Sequence, residues 1–171
     1  NTARYTADFT PPTSTFTNDS NTKLLIQSGT DGSQTFDDLS TSDHTITANG
    51  DVRWFAPKVG AGAMELDGTG DWFAVDDSSS FDLGGGDFTI EMWVKLRNLS
   101  PRSDFISQGV ASDTTPLWQI GFRGSGDNGD GLYTDFNTSS STTFMNIEQG
   151  NTTGWVANTW YHVCLVRYGN V

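Results

Sequence analysis

From Met64 to Leu96 the chain reads MELDGTGDWFAVDDSSSFDLGGGDFTIEMWVKL, and its closing run admits few foldings. Phe88, Ile90, Met92, Val94 and Leu96 alternate with Thr89, Glu91, Trp93 and Lys95. A period of two puts these sets on opposite faces of a β-strand, one apolar and the other polar except for Trp93. A tryptophan on that face is either covered by a loop or open to a ligand. Upstream, Met64 to Leu66 and Trp72 to Val75 are apolar runs separated by Asp, Gly and Ser turn formers. The stretch therefore predicts strand, turn, strand, loop and long strand.

The same pattern recurs along the chain. It predicts strands at Lys23 to Gln27, His44 to Ala48, Asp51 to Phe55, Phe105 to Ile106, Leu117 to Phe122, Leu132 to Phe136, Phe144 to Ile147 and Tyr161 to Arg167. Asn49-Gly50 carries the residue pair of a tight hairpin. Trp118, Ile120 and Phe122 share one face, and HVCLVR has the near-continuous apolarity of a central strand buried on both sides. Nineteen glycines, abundant Ser, Thr and Asp, and no stretch at helical spacing describe short strands joined by tight turns, hence an all-β chain. A length of 171 residues suits one domain. The single Cys164 lies within an apolar strand, the setting of a structural thiol, and His162 beside it reads as a satisfied histidine at the core edge.

Charge narrows the function. A formal net charge of −12, with nine Lys and Arg spread singly, excludes a surface that tracks phosphates. No apolar run is long enough to span a bilayer.

Two segments carry a resemblance. LDGTGDWFAVDDSSSFDLGGGDFTIEMWVKL resembles the hallmark segment of laminin-G-like domains of the concanavalin A-like lectin/glucanase superfamily, and NTWYHVCLVR, Asn158 to Arg167, resembles a later strand of the same domain. The resemblance implies a two-sheet antiparallel jelly-roll sandwich over residues 23–171, in a family of glycan-binding, protein-binding, adhesive and structural modules. In such domains the strand like Tyr161 to Arg167 is followed by further strands, so a sandwich lacking its C-terminal strands is expected, completed by a longer chain or by a partner.

Residues 1–22 form a polar lead-in whose Pro11-Pro12 pair favours an extended path. Tyr5, Phe9 and Phe16 mark it as an arm that docks on its own sandwich or on a neighbouring subunit. YTADFTPPTSTFTNDSNTKLLIQS also resembles the lead-in ahead of laminin-G-like domains in structural proteins of tailed phages.

Catalytic constellations are missing. Glycosidases of the resembled superfamily place carboxylates as E-x-D-x-x-E on one strand face. Here Glu65 and Asp67 begin that pattern, but Gly70 stands in the third position. His44 has no evident second ligand and reads as an exposed histidine at a strand end. The loop RGSGDNGDG, Arg123 to Gly131, offers Asp127 and Asp130 as weak metal candidates without an EF-hand pattern. Asn18, Asn98, Asn137 and Asn151 stand in N-x-[ST] sequons.

Two functions fit these residues. One is a non-catalytic structural or adhesion module of a virion or extracellular surface, whose arm and sandwich edges contact copies of itself or other surface proteins. The other is a glycan-binding module in which Trp72 or Trp118 stacks on sugar rings. Asp71, Asp76 and Asp77, or a calcium ion held by them, would then fix the hydroxyls. Solvated caps at a strand end are the plainer use of DWFAVDD.

Overall fold

The computed structural model describes residues 2–55, 58–60, 62–109, 117–124, 131–139, 142–148 and 154–169. Within them the strands are β1 (Ile46–Asn49), β2 (Arg53–Phe55), β3 (Ala63–Glu65), β4 (Trp72–Val75), β5 (Phe88–Lys95), β6 (Ser103–Gln108), β7 (Leu117–Arg123), β8 (Gly131–Ser139), β9 (Thr142–Glu148) and β10 (Trp160–Arg167). A short 3-10 turn, Ser79–Phe81, is capped by the Ser78 hydroxyl, which accepts from the Ser80 N–H. β1 pairs with β4, β2 with β3, β5 with β10, and β6 to β9 form a sheet in chain order. The all-β class and its antiparallel sheets agree with a concanavalin A-like sandwich. The chain divides into two units, Asn1–Trp93 with His162–Val171 and Val94–Tyr161.

The first unit has its core around Phe36, Val52 and Trp54, with Ile26, Ile46, Ala48 and Phe73 packed against it. Alternation along β1 and β4 turns Ile46, Ala48 and Phe73 inward and leaves Thr47 and Trp72 exposed. The Asn49-Gly50 turn does not close a hairpin as predicted. Its flanking strands pair elsewhere, β1 with β4 and β2 with β3, so the turn passes the chain from one pair to the other.

Lys23 to Gln27 is likewise not a strand. Its backbone groups are engaged locally: the Leu25 N–H donates to the Asp38 carboxylate at 2.9 Å, and its carbonyl accepts from Leu39 at 2.8 Å. Asp38 is the hub of this region. It accepts from the backbone of Leu25, Ser40 and His44, from the Ser40 hydroxyl, and from the His44 ring at 2.8 Å. His44 is therefore not the exposed histidine that its isolation in sequence predicted. Its side chain is 12% exposed and its ring lies 4.8 Å from that of Phe81. Burial alone would raise the Asp38 pKa, but the backbone donors outweigh it and hold the carboxyl at about 2.

The arm docks on its own chain. The Arg4 N–H donates to the Thr89 hydroxyl, the Arg4 guanidinium pairs with Glu91 at 3.0 Å, and the Tyr5 hydroxyl donates to Glu91 at 2.7 Å. His162 of β10 meets the same carboxylate at 3.1 Å, while Phe9 stacks on Tyr5 and sets its edge against His162. Of the two expectations for the arm, these contacts show docking on its own chain, and they cover the Thr89–Glu91–Trp93 face of β5. Trp93 lies under the Lys58 ammonium and against the His162 ring. Burial, reinforced by the nearby Glu91 charge, pushes the Cys164 thiol up to about 12, which keeps it protonated at neutral pH.

In the second unit Trp118, Ile120 and Phe122 form the buried face of β7. The opposite face is polar. There the Tyr133 ring lies over Gly121 and donates its hydroxyl to Asp104, beneath the guanidinium groups of Arg102 and Arg123. A Cβ at Gly121 would come within 2.7 Å of the Ser103 carbonyl and 2.8 Å of Tyr133, which is 1% exposed and cannot retreat. Gly121→Ala is expected to destabilise this sheet by about 2 kcal/mol through overpacking, seen as a lower urea midpoint with an unchanged slope.

Candidate recognition site

Asp71 builds a corner from two turns that are distant in sequence. Its Oδ1 accepts the Asp51 N–H at 3.0 Å and its Oδ2 the Asp67 N–H at 2.8 Å. Gly50 makes this approach possible twice over: its φ of +79° suits glycine, and a Cβ there would fall on the Asp71 carboxylate. The Asp67 carboxylate closes its own turn by accepting from the Thr69 N–H at 2.6 Å. Above all, the Asp67 N–H holds the Asp71 carboxyl below its usual range, with the Asp51 N–H adding to it. Carboxylate oxygens of Asp51, Asp67 and Asp71 all lie within 4.8 Å of one another. That spacing suits a hard cation such as calcium, for which these groups would be three of six to eight oxygen ligands.

Trp72 follows Asp71 directly and is 53% exposed. Among the described residues its ring and N–H have no partner, whereas the other five tryptophans each have a ring contact, a cation over the ring or a hydrogen bond. Of the candidate site residues, Asp71 and Trp72, consecutive in the chain, stand at this corner. Asp76 and Asp77 stand exposed past the far end of β4, with Asp76 about 17 Å along the strand from Asp71. Trp118 is not a rim aromatic. It is 8% exposed and donates its indole N–H to Gln108, because it shares the face that Ile120 and Phe122 bury. Asp127 and Asp130 lie outside the described residues.

The sequence model of the laminin-G-like family described as the concanavalin A-like lectin/glucanases superfamily matches residues 67–171. The chain belongs to this superfamily. No curated protein matches it, and no solved structure does. Membership places this laminin-G-like chain among binding and structural modules, and domains of this kind are generally non-catalytic. The matched span contains Asp67, Asp71 and Trp72, while Asp51 lies upstream of it.

The sequence of the laminin-G-like chain marks neither Asp51 nor Asp67 as a binding residue, Asp67 entering only with Glu65 in the incomplete carboxylate pattern. Both stand in Gly-containing turns, a signal that was present, but only the packing of one turn on the other brings their carboxylates to Asp71. Glu65, which opens the incomplete carboxylate pattern, pairs with Arg53 at 3.2 Å, and Glu91 of β5 is held by Arg4, Tyr5 and His162.

Proposed function

We propose that this laminin-G-like chain is a non-catalytic recognition module of a virion or other extracellular surface assembly, and that it engages glycans at the Trp72 corner. The assembly would hold it through contacts with copies of itself or with other surface proteins. The observation that carries the glycan reading is the bare indole of Trp72 beside a carboxylate fixed by two backbone N–H groups. An aromatic plate next to fixed acceptors is the arrangement that stacks on a sugar ring while taking hydrogen bonds from its hydroxyls. A calcium ion held by Asp51, Asp67 and Asp71 would add a direct ligand for those hydroxyls.

Glycan-array binding followed by calorimetry tests this, with calcium and then with chelator. Trp72→Ala is expected to weaken binding about tenfold, the loss of a stacking contact near 1.4 kcal/mol. The same change should leave the urea midpoint almost unmoved, since the side chain stands exposed on the face of β4 opposite Phe73. Loss of binding in chelator would assign the cation a part. A folded protein that retains no glycan at millimolar concentration would sink the reading.

A further inference from the structure

The β1–β4 register extends the Trp72 corner into a shelf. Asn49 is the Cα partner of Trp72, and Thr47 is the partner of Ala74. Cross-strand partners share a face, and the alternate residues Ile46, Ala48 and Phe73 pack on the core, so these four side chains occupy the outer face. Thr47, Trp72 and Ala74 are exposed and Asn49 is half-buried. The Asn49 amide and the Thr47 hydroxyl have no hydrogen-bond partner among the described residues. Thr45 and Asp76, both exposed, continue the two strands by one further residue beyond Ile46 and Val75. From Trp72 to Asp76 the shelf runs about 13 Å, longer than a single pyranose ring.

Its chemistry changes along that length. An aromatic plate stands at one end with an amide beside it, followed by a hydroxyl facing a residue too small to obstruct the surface. Charge selects further. Asp71 borders the Trp72 end, Asp51 and Asp67 stand close to Asp71, and Asp76 marks the other end of a chain with a net charge of −12. Carboxylates at both ends repel sulfated, sialylated or uronic sugars and leave neutral ones unopposed.

We propose that this shelf binds a neutral oligosaccharide lengthwise. One ring stacks on Trp72 and the next lies over Ala74, with hydroxyls hydrogen-bonded to Asn49 and Thr47. The inference rests on the glycan reading above and adds to it a direction, a minimum length and a charge class.

The test uses an array of neutral and acidic glycans graded by length, probed with the full chain and with Trp72→Ala, Ala74→Glu and Asn49→Ala. Circular dichroism and urea midpoints control for folding, and all three positions lie off the core. Neutral glycans are expected to bind at least tenfold more tightly with two or three units than with one. Ala74→Glu should erase that gain while sparing single-unit binding, Asn49→Ala should weaken both, and acidic glycans should not bind. Trp72-dependent binding that ignores length and Ala74, or that prefers acidic glycans, would overturn the shelf and leave the recognition reading standing. Absence of any glycan binding would overturn both.

Discussion

Asp38→Ala is expected to cost the first unit about 4 kcal/mol, because the carboxylate accepts from three backbone N–H groups, those of Leu25, Ser40 and His44. Asp38 is 4% exposed, as are the flanking donors to a similar degree, with Leu25 and Ser40 at 7% each. Each orphaned donor costs on the order of 1–3 kcal/mol, against a total stability of about 5–15 kcal/mol for an ordinary domain. Asp38→Asn should not rescue it, since an amide that accepts from Leu25 and Ser40 would turn its own N–H toward the His44 donors. The measurement is urea unfolding at neutral pH, where the midpoint should fall sharply. Acid gives a second readout. With a folded pKa of about 2 against an ordinary 3.8, Asp38 contributes about 2 kcal/mol that is fully present above the unfolded value. That contribution is lost as the pH falls from about 4 toward 2, and the alanine variant should lack this part of the acid slope.

Trp54→Ala is expected to be comparably severe, about 3–5 kcal/mol. The side chain is 3% exposed, its ring lies 5.1 Å from Phe36, and its N–H donates to the Thr35 carbonyl at 2.7 Å. Two glycines are fitted to it: a Cβ at Gly29 would fall within the indole, and one at Gly62 would stand 2.6 Å from it. Backbone so close to the ring cannot collapse readily into the space that alanine would leave. The cavity therefore persists and its cost adds to the lost transfer energy. Trp54→Phe should recover most of the packing while leaving the Thr35 carbonyl unpaired, so its urea midpoint should fall between the wild type and alanine. Equal midpoints for wild type and alanine would contradict the placement of Trp54 in the core.

The strands were legible where alternation alone decides them. β4 has the bounds that Trp72 to Val75 predicted, and β5 differs by one residue at its end. Less could be read where a side chain from elsewhere intervened. Nothing within KLLIQ announces that Asp38 will take the Leu25 N–H, and nothing within FTIEMWVKL announces that Arg4 and Tyr5 will cover Glu91. Pairing was also hidden. Asn49-Gly50 has hairpin chemistry, but β1 finds its partner in β4, beyond both β2 and β3. At the candidate site, Asp71 and Trp72 could be read from one short string because they adjoin. Asp51 could not be, because it reaches Asp71 only through the contact between two turns. Trp118 was misplaced for the converse reason: an aromatic at a rim and one in a core look alike until the face it shares is known to be covered.

The pairing of β1 with β4 and of β2 with β3 separates two ways of dividing the chain. Similarity to the family begins at residue 67, but β4 inside that boundary lies against β1 outside it, and the Phe36–Val52–Trp54 core is entirely upstream. The stretch that ancestry makes recognisable is therefore not a stretch that can be excised and expected to fold. Any recombination or grafting that carried residues 67–171 alone would transplant Trp72 without the strand bearing Asn49 and Thr47. Inheritance of the proposed recognition surface requires the less recognisable segment upstream to travel with it.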